Sequence, residues 1–286
     1  MLHPVDTKDR HAVENEVGSF YLKIFPSGDR SFIPIVFGWV LDCFQGRYRD
    51  YQPIDVLYHD LEHTLQGTLC MARLLWGYHR AQALPSLEQR MVELGLMAIL
   101  LHDTGYLKKR GDSEGTGAKY TLIHVSRSAD FAQQLLSEKD FPDPEIAAVQ
   151  RMIRCTGVDA DLNAISFASE LERKVGFTLG TADLLGQMAA DDYVEKLPVL
   201  YSEFAESARF HAGKMGPLGD FESADDLMQR TPLFWEKYVL PMLDQDFEGL
   251  YRFLNDPYPD GPNDYVERVK RNMNRLRRRF AREEAA

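Results

Sequence analysis

Leu94-Gly95-Leu96-Met97-Ala98-Ile99-Leu100-Leu101-His102-Asp103-Thr104-Gly105 is the stretch on which the fold turns. Its first eight residues are apolar or small and read as a buried helix. The helix ends in a histidine and an aspartate, polar residues that a buried segment does not carry without a partner. Upstream, Tyr58-His59-Asp60-Leu61-Glu62-His63 sets two histidines four apart, so a helix through them projects both rings from one face. Downstream, Gly180-Thr181-Ala182-Asp183-Leu184-Leu185 interrupts small and apolar residues with one acid, and a carboxylate buried there needs neutralising. Each signal has an ordinary reading taken alone: a chance His-Asp pair, a hydrogen-bonded core histidine, a capping or ion-paired acid. Three of them in this order point to one site around a divalent metal.

Helical periodicity dominates outside that stretch and alternating strand patterns are scarce. Residues 56–80, 87–102, 120–138, 143–155, 160–192, 193–211, 223–254 and 261–282 each read as helix or broken helix. Pro85, Pro142, Pro144, Pro198 and Pro232 punctuate them. The expected fold is all-α, a helical bundle with ligands from facing helices converging in its core. Ser19-Phe20-Tyr21-Leu22-Lys23-Ile24-Phe25-Pro26 reads as a short strand or an extended arm. The expected organisation is an N-terminal segment over residues 1–55, a metal-binding domain over 56–215, and C-terminal helices over 216–286 packing on the core.

In order, the residues His63, His102-Asp103 and Asp183 match H…HD…D, and over roughly residues 56 to 190 the chain resembles the HD-domain metal-dependent phosphohydrolases. The segment from His59 to His63 is also similar to the H-N-x-x-H run of class I cyclic-nucleotide phosphodiesterases, with Asp60 in place of the usual asparagine. The resemblance implies an HD-domain helical bundle in which His63, His102, Asp103 and Asp183 hold a metal ion, Asp103 bridges to a second ion, and His59 is the general acid. It also implies a role in the second metal site for His124, which opens the following helix. Proteins of this kind with a fuller binuclear site use a further histidine, and Met152-Ile153-Arg154-Cys155-Thr156-Gly157 has none. One tight ion and a weaker, more hydrated second one are therefore expected. The frequent family lysine after H-D-x-G is replaced by Tyr106.

Neutral imidazoles and carboxylates suit Zn, Mn, Fe, Co or Mg, and a mixed nitrogen and oxygen shell leaves positions open for water. A bound divalent ion lowers the pKa of water from about 15.7 towards about 7, and a pair of ions clamps the attacking and leaving oxygens of a displacement at phosphorus. Between the HD pair and His124, the basic and glycine-containing loop of residues 107–119 offers Lys108 and Arg110 as phosphate-binding residues, against the plainer reading of a solvated loop. Gln187, close behind Asp183, is a candidate to reach a substrate base, although it does not align with the purine-binding glutamine of the class I phosphodiesterases.

The function expected is hydrolysis of a phosphate ester in a nucleotide or related small molecule, a cyclic nucleotide among the options. The alternatives are a di-iron oxygenase of the same fold, or a signalling protein that binds a nucleotide without turnover. A formal charge of −11 over 286 residues argues against nucleic acid as a partner. Three dispersed cysteines suit a reducing cytosol, no signal peptide is visible, and the apolar run Phe32 to Phe44 is too short to span a bilayer, so a cytoplasmic, membrane-free protein is expected. In the arginine-rich C-terminal segment, Val266, Val269, Met273, Leu276 and Phe280 recur at spacings of three and four. That stripe reads as a docking helix with a solvated basic face, or less simply as a homodimer seam.

Overall fold

The apolar run forms α4 (Gln89–Leu101), in which every residue from Val92 to Leu101 is buried. A computed structural model describes residues 4–157, 160–211 and 221–283 and sets this helix at the centre of an all-α bundle. Packed directly on α4 are α3 (Leu61–Arg80), α6 (Asp143–Ile153) and α7 (Glu170–Met188). The remaining helices are α1 (Arg10–Ile24), α2 (Phe32–Phe44), α5 (His124–Ser137), α8 (Tyr193–Phe210), α9 (Ala224–Phe234) and α10 (Asp264–Glu283). The described residues contain no strand, only three isolated bridges. One apolar core runs from Val13 of α1 to Leu276 of α10, and no helix among the described residues is long and apolar enough to cross a membrane.

Residues 19–26 are not a strand or an arm. They belong mostly to α1, whose N-terminus is capped by the Asp9 carboxylate accepting from the N–H groups of His11 and Ala12. Val13, Val17, Phe20, Tyr21 and Ile24 recur at three and four and are buried, and the helix packs on α3. The Tyr21 hydroxyl donates to Glu93 of α4 at 2.7 Å, fixing the N-terminal helix to the central one.

Two of the expected long helices are broken. The segment from 160 opens with a 3-10 turn, Leu162–Ala164, and α7 starts only at Glu170, where the Ser169 hydroxyl accepts from the Glu172 N–H. After α9 the chain runs through π turns at Trp235–Val239 and Met242–Asp246, with Pro241, which has no N–H to give, between them. In α10 the side chains of Val266, Val269, Met273 and Leu276 are buried. Four of its arginines are paired: Arg268 with Asp191 and Asp264, Arg275 with Glu195, Arg277 with Glu236 and Arg279 with Asp225. The basic stripe thus offsets acids of the helices beneath it.

α3 and α7 cross at a glycine. A Cβ on Gly186 would lie 2.8 Å from the backbone of Gln66 and Gly67, a clash no side-chain rotation relieves. Gly186→Ala is expected to cost about 1–3 kcal/mol through overpacking, lowering Tm by about 2–4 °C per kcal/mol. Thermal unfolding followed by circular dichroism checks this, and an unchanged Tm would mean that the two helices separate freely.

Candidate metal centre

Four helices deliver the motif residues to one point. His63 lies in the first turn of α3, His102 caps the C-terminus of α4 with Asp103 next in the chain, His124 is the first residue of α5, and Asp183 sits well inside α7. His63 Nε2 lies 3.2 Å from both Asp103 Oδ2 and Asp183 Oδ1. His102 Nε2 lies 3.3 Å from the same two oxygens. The four atoms therefore close a ring of alternating nitrogen and oxygen. Edges of that length place the ring centre about 2.0–2.3 Å from each corner, depending on pucker, which is the bond length of a first-row divalent cation. His63, His102 and Asp103 form a buried group that could hold a metal ion, and the Asp183 carboxylate joins it through both imidazoles.

The hydrogen bonds fix which atoms face inward. The Nδ1–H of His102 donates to the Ile99 carbonyl at 2.7 Å, and that of His124 to the Thr121 carbonyl at 2.6 Å. A carbonyl only accepts, so in the neutral rings each Nε2 carries a lone pair. His102 Nε2 and Asp103 Oδ2 are buried without a hydrogen-bond partner. Lone pairs aimed at carboxylate oxygens repel unless protons or a cation lie between them, so this donor set fits a divalent ion.

Burial works against charge on each of these groups, yet Asp103 and Asp183 outweigh it at His63 and hold its pKa up at about 10. The same attraction raises His102 and, against burial, keeps both carboxyls well below the usual range. His124 goes the other way. Its Nε2 is 3.8 Å from Asp103 Oδ1, and burial outweighs that attraction and lowers its pKa.

His59 does not ride on the helix that carries His63. The Asp60 carboxylate caps α3 by accepting from the His63 N–H at 2.9 Å, so the helix begins at Leu61 and His59 lies in the bend before it. What fixes His59 comes from far along the chain. Its Nδ1–H donates to Glu203 Oε2 of α8 at 2.6 Å, while Glu203 Oε1 accepts from the N–H groups of Leu57 and Tyr58 at 2.9 and 2.7 Å. Burial opposes charge on Glu203, but His59 and those two N–H groups hold its pKa below the ordinary value. The Tyr106 ring stacks between His59 at 4.6 Å and His124 at 4.7 Å, wholly buried, with its hydroxyl facing Thr121.

Lys108, Arg110 and Gln187 stand apart from the roles expected of them. Lys108 is buried, its ammonium held 2.8 Å from the Asp55 carboxylate and donating to the Gly115 carbonyl at 2.5 Å. Arg110 is exposed, with its guanidinium 3.5 Å from the Gly46 carbonyl. Neither lines the cavity that opens beside the metal centre. The loop folds on itself and on Glu206, whose carboxylate takes the Thr116 hydroxyl and N–H, so it is tied down rather than poised for phosphate. Gln187 does line the cavity, but its carbonyl accepts from Tyr58 at 2.8 Å and its amide donates to the Asp183 carbonyl at 3.1 Å and carboxylate at 3.4 Å. It braces Asp183 instead of offering itself to a base. Glu203, Tyr193 and Arg154 were not singled out by the sequence, and all three sit at or beside the site.

No curated protein matches the sequence. The model of the Npun_R2479-like family matches residues 110–253, just over half of the 286 residues. That span contains His124, Asp183 and Glu203, whereas His59, His63, His102 and Asp103 precede it. On this match the chain belongs to the Npun_R2479-like family.

Proposed function

We propose that this protein is a metal-dependent phosphohydrolase that cleaves a small phosphate ester, with water as the nucleophile and His59 as proton donor to the leaving oxygen. The observation that carries the reading is the closed ring of His63, His102, Asp103 and Asp183 beside a histidine held by a buried glutamate. The motif resemblance to HD-domain phosphohydrolases supports it. A divalent cation in the ring would polarise a phosphoryl oxygen and lower the pKa of water. Asp103 Oδ1 and His124 Nε2, facing each other, are the residues that would share a second, weaker ion.

The protein's own groups do the rest. Glu203 fixes the plane and tautomer of His59 through Nδ1, which leaves Nε2 as the atom that exchanges a proton with substrate. Tyr106 holds that ring from one face. α3 and α5 both begin at the site, so the positive ends of two helix dipoles face an incoming anion.

Metal-stripped protein, resupplied with Mn, Co, Fe, Zn or Mg, is expected to release phosphate or phosphomonoester from some member of a phosphoester panel, and to release none without metal. Metal uptake with no hydrolysis of any ester would remove the proposal. Glu203→Gln is expected to lower kcat about 10–100-fold with KM and metal content near wild type. An unchanged kcat would detach Glu203 from proton transfer.

A further inference from the structure

Beside the ring of ligands the chain encloses a cavity of about 880 Å³, towards the upper end of the range for small-molecule sites. Its wall on the α7–α9 side is aliphatic and aromatic: Leu184, Leu197, Leu200, Phe204, Leu227 and Phe234. Phe234 stays 37% exposed and Ile123 45% exposed, both lining residues that continue the apolar surface outwards. A purine or sugar would need donors and acceptors on these walls, because a site that reads polar groups must leave its own available.

Most of the lining donors are already engaged. The hydroxyls of Thr121, Ser126, Thr156 and Thr231 each donate to a carbonyl three or four residues back. Gln150 donates to the Ala129 carbonyl, and Gln187 is held between Tyr58 and Asp183. Arg151 and Arg230 are paired with Glu172 and Asp226. Two buried hydroxyls on the lining are left without a hydrogen-bond partner among the described residues, that of Tyr106, stacked between His59 and His124, and that of Tyr193, 5% exposed, too few to read a purine and a sugar. Arg154 and Ser166, which line the cavity as well, are exposed.

We propose that the cavity takes the alcohol part of the ester and that this part is an apolar chain, not a nucleoside. The inference rests on the phosphohydrolase reading for the head group and on the cavity wall for the chain. Phosphate sits at the metal centre and the chain lies along Leu184, Leu200 and Phe204.

Calorimetric titration of the full chain with butyl, hexyl, octyl and decyl phosphate in Mn²⁺ tests the wall. Affinity is expected to rise about fourfold per methylene, and octyl phosphate to bind at least about tenfold more tightly than adenosine monophosphate. A flat series, or tighter binding of the nucleotide, overturns the proposal. Leu200→Glu, at a partly exposed position, should flatten the series with metal content unchanged. A steep series surviving in Leu200→Glu would place the chain elsewhere and overturn the proposal too. Competition by 1-octanol for a bound fluorescent apolar dye, in Mn²⁺ and in EDTA, needs no variant. Length-dependent alcohol binding with no gain from the phosphate group in Mn²⁺ would sink the phosphohydrolase reading and leave the apolar site standing. No length dependence in either condition would sink the apolar site alone.

Discussion

Asp103→Ala is expected to retain less than about a tenth of the wild-type metal after EDTA treatment and resupply, and to hydrolyse phosphoesters at least about a thousandfold more slowly. Among the ligand candidates, Asp103 is the residue whose two oxygens face different partners. Oδ2 meets His63 and His102 at 3.2 and 3.3 Å, while Oδ1 faces His124 at 3.8 Å. Its removal opens the ring on one side and takes the shared corner from any second ion, a double loss that no other single substitution produces. The fold should survive, because Asp183 remains within 3.3 Å of both imidazoles to offset their charge. Elemental analysis beside circular dichroism separates the two effects. A folded Asp103→Ala chain with full metal occupancy would refute the ligand assignment outright.

The largest stability loss is expected away from the metal. Glu172 of α7 is 1% exposed, and its carboxylate accepts from Arg151 of α6 through Nε at 2.5 Å and Nη2 at 3.1 Å, with the Ala168 N–H on the second oxygen at 3.2 Å. Arg151→Met keeps the aliphatic stem and removes the charge, leaving a buried carboxylate with one N–H for company. Breaking such a pair costs about 3–5 kcal/mol, equivalent to a fall in Tm of about 10 °C or more. The double variant Arg151→Met/Glu172→Leu should recover most of it, since an apolar pair of similar volume is often as stable as the ion pair. Urea unfolding measures both, and a loss below about 1 kcal/mol in the single variant would show that water already reaches Glu172.

The parts of this molecule that were legible in the sequence are those where local pattern and burial agree. The run Leu94 to Leu101 could only be an interior helix, and the polar pair at its end had to meet something. Asp183 announced itself the same way, as one acid among small and apolar neighbours. In α1 two patterns compete: Val13, Val17, Phe20, Tyr21 and Ile24 carry a helical period, while the aromatic-rich run from Ser19 to Pro26 reads locally as extended, and burial against α3 decides for the helix. Lys108 and Arg110 lie near the HD pair in sequence, but Asp55 and Gly115 claim the first and the second stays at the surface. The four-residue spacing of His59 from His63 points to a shared helix face, whereas Asp60 caps the helix between them and leaves His59 outside it. Glu203 was beyond reach, since its partners His59, Leu57 and Tyr58 lie far back in the chain and only the return of α8 brings it to them.

The ring of ligands also bears on the unfolded protein. Its corners come from residues 63, 102, 103 and 183, so an ion that holds all four ties the chain into two large closed loops, as a pair of disulfides would. A cross-link of that reach removes chain entropy that the unfolded ensemble would otherwise enjoy, by an amount that grows slowly with loop length. Because the clip is reversible, its strength is set by concentration: melting temperature should climb with the logarithm of free metal, as for any ligand that binds only the native state. The cell's metal supply would then govern how long this chain persists.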